Sequence, residues 1–238
     1  MLTAAKVKSE LKSLVNPEKA KFLRRYFKTG KGEYAEGDKF IGITVPVQRT
    51  VAKKYSDLPL NEIQKLIKDP VHEARVTAVF ILCGQYSKAV DKRKKFFVDF
   101  LLTNKKFINN WDLVDSCAHQ ILGDYLINKP HKILFKLAKS ENVWDRRIAA
   151  VSTYAFIRNR KFDSALKIFE MLLNDKHDLI HKAAGWMLRE IGNRNVEVLE
   201  SFLEKHVPVM PRTMLRYAIE KFPEAKRQKY LQRKTAKS

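Results

Sequence analysis

Three stretches of this chain align without a gap: VHEARVTAVFILCGQ from Val71, VWDRRIAAVSTYAFI from Val143 and LIHKAAGWMLREIG from Leu179. Each has a basic residue at a matching position (Arg75, Arg147, Lys182), small residues just after it, and a large apolar residue four further on (Val79, Val151, Trp186). The basic residues lie 72 and 35 apart, two steps of 36 and one of 35, and one step beyond Arg75 falls on Trp111. A block this short cannot bury an apolar face by itself, so copies of it are stable when stacked on one another. The repetition therefore calls for an array of like units.

The units are helical. Apolar residues recur at spacings of three and four almost throughout, as at Ala5, Val7, Leu11 and Leu14, and period-two runs are scarce, so the chain reads as all-α. Helix starts are marked by Thr3 and by Pro17, Pro46, Pro130 and Pro211, since proline suits a first turn. Stops fall on short polar links at Asp69, Lys139 to Asn142 and Asn174 to Lys176. A period near 36 with two helices per repeat resembles HEAT-like repeats, slightly shorter than the usual roughly 40. Stacked helix pairs of that kind make a curved superhelix with an extended concave surface. Arg75, Trp111, Arg147 and Lys182 then occupy equivalent places, with Asp115 and Trp186 one turn further along their own helices. No linker rich in Pro, Gly or Ser divides the chain, so residues 1–238 are read as one domain with a basic tail at about 224–238, an electrostatic arm or solvated helix frayed at its end. The one long irregular segment, residues 28 to 45, holds four of the eight glycines and is a loop of functional interest.

Lys and Arg number 47 against 26 Asp and Glu, a formal charge of +21 that repels itself unless a polyanion relieves it. The expected partner is nucleic acid. Cys83 and Cys117 sit in apolar helical patterns with no CxxC pair and no secretory signal, which points to buried, reduced thiols in a cytosol. TAVFILCGQY is broken within about ten residues, too short to span a membrane.

His177, Asp178 and His181 spell H-D-x-x-H, superficially a zinc-protease helix. Aspartate is a methylene short of the usual glutamate, and no third ligand is indicated, so Asp178 is read as a helix-start carboxylate instead. Glycine fingerprints for nucleotides and the serine-hydrolase elbow are missing. In DKRKKFFVDFLLTNKKF, either Phe96, Phe97 and Phe100 are core and the lysines a solvated face, or the lysines contact phosphate. A helical tryptophan is more often core than site. Trp111, however, stands at a position held elsewhere by Arg75, Arg147 and Lys182, and long basic residues are poor core residues. A surface tryptophan with a carboxylate, Asp115, one turn away calls for a contact with something.

The segments YFKTGKGEYAEGDKFIGITVPVQR, NNWDLVDSCAHQILGDYL, VWDRRIAAV and HKAAGWMLREIG resemble, in order and spacing, the AlkD-type DNA alkylation repair glycosylases, from about Pro17 to Lys221. The resemblance implies a right-handed αα-superhelix of HEAT-like repeats with a basic concave face for duplex DNA. It implies removal of N3- or N7-alkylated purines with no cofactor or metal, and an elongated monomer is the simplest expectation for such a chain. Carried over residue by residue, it assigns catalysis to Trp111, Asp115, Arg147 and Trp186, and an aromatic lining of the cleft to Tyr26. Arg75, Lys182, Arg212 and Arg216 are the basic residues expected to join Tyr26 in holding DNA. The competing readings are a non-catalytic HEAT-repeat scaffold for DNA or RNA and, further off, a binder of acidic proteins.

Overall fold

The computed structural model describes residues 1–233. They are helical, with no strand among the described residues beyond a single bridge between Lys39 and Val71. The chain forms two compact units, Met1–Cys117 and one from Ala118 onward. Composition does not mark this division, because nothing near Cys117 resembles a linker.

The first unit contains α1 (Ala4–Ser13), α2 (Pro17–Tyr26), α3 (Val45–Lys54), α4 (Leu60–Ile67), α5 (His72–Lys88), α6 (Asp91–Asn104) and α7 (Trp111–Cys117). The start signals read from the sequence operate physically. The Thr3 hydroxyl accepts the Lys6 N–H, Asn16 Oδ1 accepts the Lys19 N–H at 2.9 Å with Pro17 following, and Pro46 sits in the first turn of α3. Every residue of α5 from His72 to Cys83 is buried, so this helix is the axis on which α3, α4 and α7 pack. In α6, Phe97 belongs to the core, whereas Phe96 is 55% exposed. Cys83 and Cys117 are buried free thiols, and burial pushes Cys83 up to about 12.

The loop between α2 and α3 is irregular but fixed. The Glu73 carboxylate, 1% exposed at the start of α5, accepts the N–H groups of Ile41, Gly42 and Ile43 at 3.0, 2.8 and 3.3 Å. Gly42 has φ +88°, and a Cβ there would lie 1.9 Å from the Asn16 carbonyl, so only glycine lets the loop lie against the start of α2.

The second unit opens with a π-helical turn, His119–Gly123, in which the Gly123 N–H reaches the Ala118 carbonyl at 2.9 Å. There follow α8 (Asp124–Leu126), α9 (Lys132–Ala138), α10 (Val143–Ser152), α11 (Tyr154–Arg158), α12 (Asp163–Met171), α13 (Asp178–Gly192), α14 (Val196–His206), α15 (Arg212–Ala218) and α16 (Glu224–Gln232). The small residues after Lys182 have a packing reason. Ala183, Ala184 and Gly185 are all buried, and Gly185 lies so close to α15 that a Cβ on it would stand 2.5 Å from the Met214 carbonyl. The basic tail docks as far as Arg233. Tyr230 is buried with its hydroxyl on Glu204, Arg233 pairs with Glu204 at 2.6 Å, and Arg212 donates to the Leu231 carbonyl at 2.6 Å. The end expected to fray, residues 234–238, lies outside the described residues.

Side-chain bonds link segments 32 to 36 residues apart inside each unit. Arg75 Nη1 donates to the Phe107 carbonyl and Arg147 Nη1 to the Leu179 carbonyl, each 32 residues ahead. Arg160 reaches the Arg194 carbonyl, His131 bonds Ser164, and Lys205 and His206 both meet Glu170. The recurring arginines were expected to face outward, yet Arg75 and Arg147 are each 5% exposed. A guanidinium can be buried where carbonyls and carboxylates satisfy its fork, and here it fastens the next segment. Arg147→Ala should therefore lower stability by about 1 to 3 kcal/mol in urea denaturation, because the part-buried Leu179 carbonyl loses a charged donor. An unchanged midpoint would mean that the Arg147–Leu179 bond adds nothing to stability.

Candidate active site

Trp111 opens α7, and its position follows from local chemistry. Asn110, fully buried, accepts the Trp111 N–H on Oδ1 at 2.8 Å and donates from Nδ2 to Asp38 Oδ2 at 3.2 Å. The helix start is thereby tied to the glycine-containing loop. The partly buried Trp111 indole lies face to face with Phe27, centroids 5.1 Å apart at 8°, and meets the edge of the exposed Tyr26 ring at 6.1 Å. Phe27 stacks on Phe40 at 4.8 Å, and Phe40 on the His72 ring at 4.4 Å. Asp115 follows Trp111 by one turn and is also partly buried.

His72, 2% exposed, closes the inner end of this stack. Its Nε2 donates to Asp112 Oδ2 at 2.8 Å and its Nδ1 to Asp38 Oδ2 at 3.1 Å. Burial pulls the imidazole down and the nearby Arg75 adds to that, but Asp112 and Asp38 outweigh both and hold it at about 9. At neutral pH it is an imidazolium with both N–H groups donating. Arg75 Nη2 donates to Asp38 Oδ1 at 2.5 Å, while Nη1 meets the Asn109 side chain. For Asp38, burial acts upward, and its bonds to His72 and the charge of Arg75 prevail, keeping the carboxyl below the usual carboxylate range. Arg75 is thus an interior bridge among Asp38, Asn109 and Phe107, which is a correction to its expected place on a DNA-facing surface.

In the second unit Trp186 is partly buried on α13 and leans on Tyr154, centroids 6.2 Å apart at 35°. The Arg194 guanidinium lies 5.6 Å over the Tyr154 ring, and His119 meets that ring edge-on at 5.3 Å. Burial, with Arg158 nearby, pulls His119 below its ordinary value, so it is neutral at pH 7. Lys182 pairs with Asp178 at 2.6 Å, Arg212 is tied to Leu231, and Arg216 is exposed. The H-D-x-x-H histidines serve the start of α13. His177 Nδ1 accepts the Leu179 N–H at 3.2 Å, and His181 Nε2 donates to the Asp175 carbonyl at 2.5 Å.

A family model described as DNA alkylation repair enzyme matches residues 7–222. The chain belongs to the DNA alkylation repair enzyme family. Among solved structures, a protein described as a predicted DNA alkylation repair enzyme from Enterococcus faecalis superposes with a TM-score of 0.68. The two share 20% identity over 88% of this chain and 97% of that one, so the likeness is one of fold. No curated protein sequence matches. Among the described residues, no helix of this DNA alkylation repair family member is long and apolar enough to cross a membrane.

Of the residues singled out in the sequence, the first unit brings Tyr26 and Trp111 into contact, and the second holds Trp186 seven residues beyond the carbonyl that Arg147 grips. The residues that set Trp111 in place, Phe27, Asp38, Phe40, His72, Asn110 and Asp112, went unread. A histidine three before the repeat arginine was the available signal, but its carboxylate partners are 34 and 40 residues away.

Proposed function

We propose that this protein is a monofunctional DNA glycosylase that hydrolyses the N-glycosidic bond of N3- and N7-alkylated purines in duplex DNA. In this reading the helices stack as a right-handed superhelix of HEAT-like repeats whose basic concave face holds the duplex. The side-chain bonds at repeat spacing within each unit and the charge of +21 support that architecture.

The observation that carries the reading is the pair at the start of α7, in a chain of the DNA alkylation repair family. An indole is braced by an aromatic stack, and a partly exposed carboxylate stands one turn behind it. An N3- or N7-alkylated purine is already cationic, so it departs as a neutral base without a general acid, unlike the sugars that need two carboxylates. This chemistry calls for no metal or organic cofactor. As the bond to the base breaks, the electron pair leaves with the purine and positive charge grows on the deoxyribose. Asp115 stabilises that charge and orients a water toward C1′, and as the new C–O bond forms the water passes its proton to bulk solvent. Trp111 and Trp186 offer π faces to the cationic nucleotide, each contributing roughly 0.5 to 2 kcal/mol. Arg147 acts as a positioning residue, through the first turn of α13 on which Trp186 rides. Tyr26, Lys182, Arg212 and Arg216 are the proposed DNA contacts.

The test is release of free 7-methylguanine from a methylated duplex in single turnover, with affinity measured alongside. If about six phosphates are contacted, affinity should fall with a log–log salt slope near −5. Tight, salt-dependent binding without release would leave a DNA-binding repeat protein, and a flat salt response would argue against the groove itself.

A further inference from the structure

α2 carries two parallel rows of side chains. Phe22 and Tyr26 are four residues apart and stack on each other, centroids 5.9 Å apart at 16°. Lys21 and Arg25 form the adjacent row at the same spacing, with Arg24 beside them, and all three are exposed. The aromatic row is exposed as well, 57% at Phe22 and 56% at Tyr26, although the buried Phe27 and Phe40 lie immediately beyond it. Beside Phe22 an open depression of about 590 Å³ is lined by Lys21, Arg24 and Arg25, with Glu18 and Glu33 at its margin. The Glu33 carboxylate is engaged by the Gly30 N–H at 2.7 Å. The core gains little from two large rings left in water, so their packing against each other beside a cationic track needs another reason.

We propose that this face of α2 is a stacking platform for an unpaired nucleobase, with Phe22 and Tyr26 receiving the base and Lys21, Arg24 and Arg25 the flanking phosphates. A cationic groove alongside stacked aromatics is the physical pattern for holding single-stranded nucleotides, because every base offers a π face and every linkage an anion. A protein partner would have no use for three adjacent cations unless it were acidic. A fully paired duplex hides its base faces and would meet only the cations. The platform leads to Trp111 through the Tyr26 ring, so an unstacked nucleotide would be held at the margin of the proposed catalytic pair. This inference rests on the DNA reading above but not on the glycosylase chemistry.

The experiment compares binding of two unmodified duplexes, one fully paired and one with a single unpaired 2-aminopurine, by wild type, Phe22→Leu, Phe22→Trp and Arg25→Ala. Because Phe22 is exposed, the leucine variant keeps the fold, which circular dichroism verifies. The wild type should prefer the unpaired site and quench its fluorescence. Phe22→Leu should lose about 5- to 50-fold of that preference with paired binding unchanged, Phe22→Trp should restore it, and Arg25→Ala should weaken both duplexes and flatten the salt slope. Equal preference and quenching in wild type and Phe22→Leu would overturn the platform, as would binding of an acidic peptide in competition with DNA at this face. Absence of DNA binding by the wild type would overturn the DNA reading with it. Failure of base release with the preference intact would remove only the glycosylase.

Discussion

Asp115→Asn is expected to lose base release by at least about a hundredfold while DNA affinity stays the same or rises. The change is nearly isosteric and removes one negative charge on a helix of a chain carrying +21. For a protein that merely holds a polyanion, a carboxylate near the phosphates is a repulsion, and neutralising it strengthens binding. For a glycosylase the same carboxylate opposes the positive charge that forms on the sugar as the base departs. Loss of one placed electrostatic partner of that kind costs roughly a hundred- to a thousandfold in the chemical step. Single-turnover release of 7-methylguanine, read beside a binding isotherm, separates the two. Release that survives in the asparagine variant would take the chemistry away from Asp115, whereas wild-type inactivity with tight binding would take it away from the protein.

The second large effect concerns His72. The imidazolium stands between Asp112 on α7 and Asp38 on the loop, with Arg75 of its own helix nearby, and Phe40 and Phe27 against its ring. Its value near 9 in the folded protein compares with about 6.5 for a free histidine. The stabilisation this represents, on the order of 3 kcal/mol, is complete below about pH 6.5 and disappears as the pH climbs through 9. His72→Phe keeps a ring for the stack but leaves two part-buried carboxylates without their shared cation. It should lose roughly 3 kcal/mol at pH 7, and its stability should vary less than the wild type's between pH 6.5 and 9. Urea denaturation across that range, followed by tryptophan fluorescence, measures both slopes. Parallel slopes would show that His72 is not the group that titrates.

The helical class and several helix starts, those at Thr3, Pro17 and Pro46, were legible because they are local. A proline or asparagine acts within a turn of itself, and apolar spacing reports directly on which face is covered. The recurring arginines misled for a reason specific to their chemistry. Charge argues for solvent, but a guanidinium also matches backbone carbonyls, and the sequence contains no sign of which demand prevails at Arg75 or Arg147. The pair Trp111 and Asp115 could be found from spacing on one helix. The brace behind it could not, since Asp38, His72 and Asp112 come from a loop and two helices that only the fold brings together. The π-helical turn after Ala118 was equally silent, because it adds a residue to a helix whose apolar pattern continues.

The arginine bonds also bear on how such a chain gets built. Each joins residues 32 apart, and the bonds from Arg160, His131 and Glu170 close segments of 33 to 36 residues. Loop-closure entropy grows only with the logarithm of length, and folding rates fall as partners become distant along the chain. A protein held together by many closures of one modest size meets the same small barrier repeatedly, however long it becomes. The first unit finds its partners for His72, Arg75 and Glu73 entirely within Met1–Cys117. The charged brace behind Trp111 can therefore assemble on the ribosome while the second half of the chain is still being made.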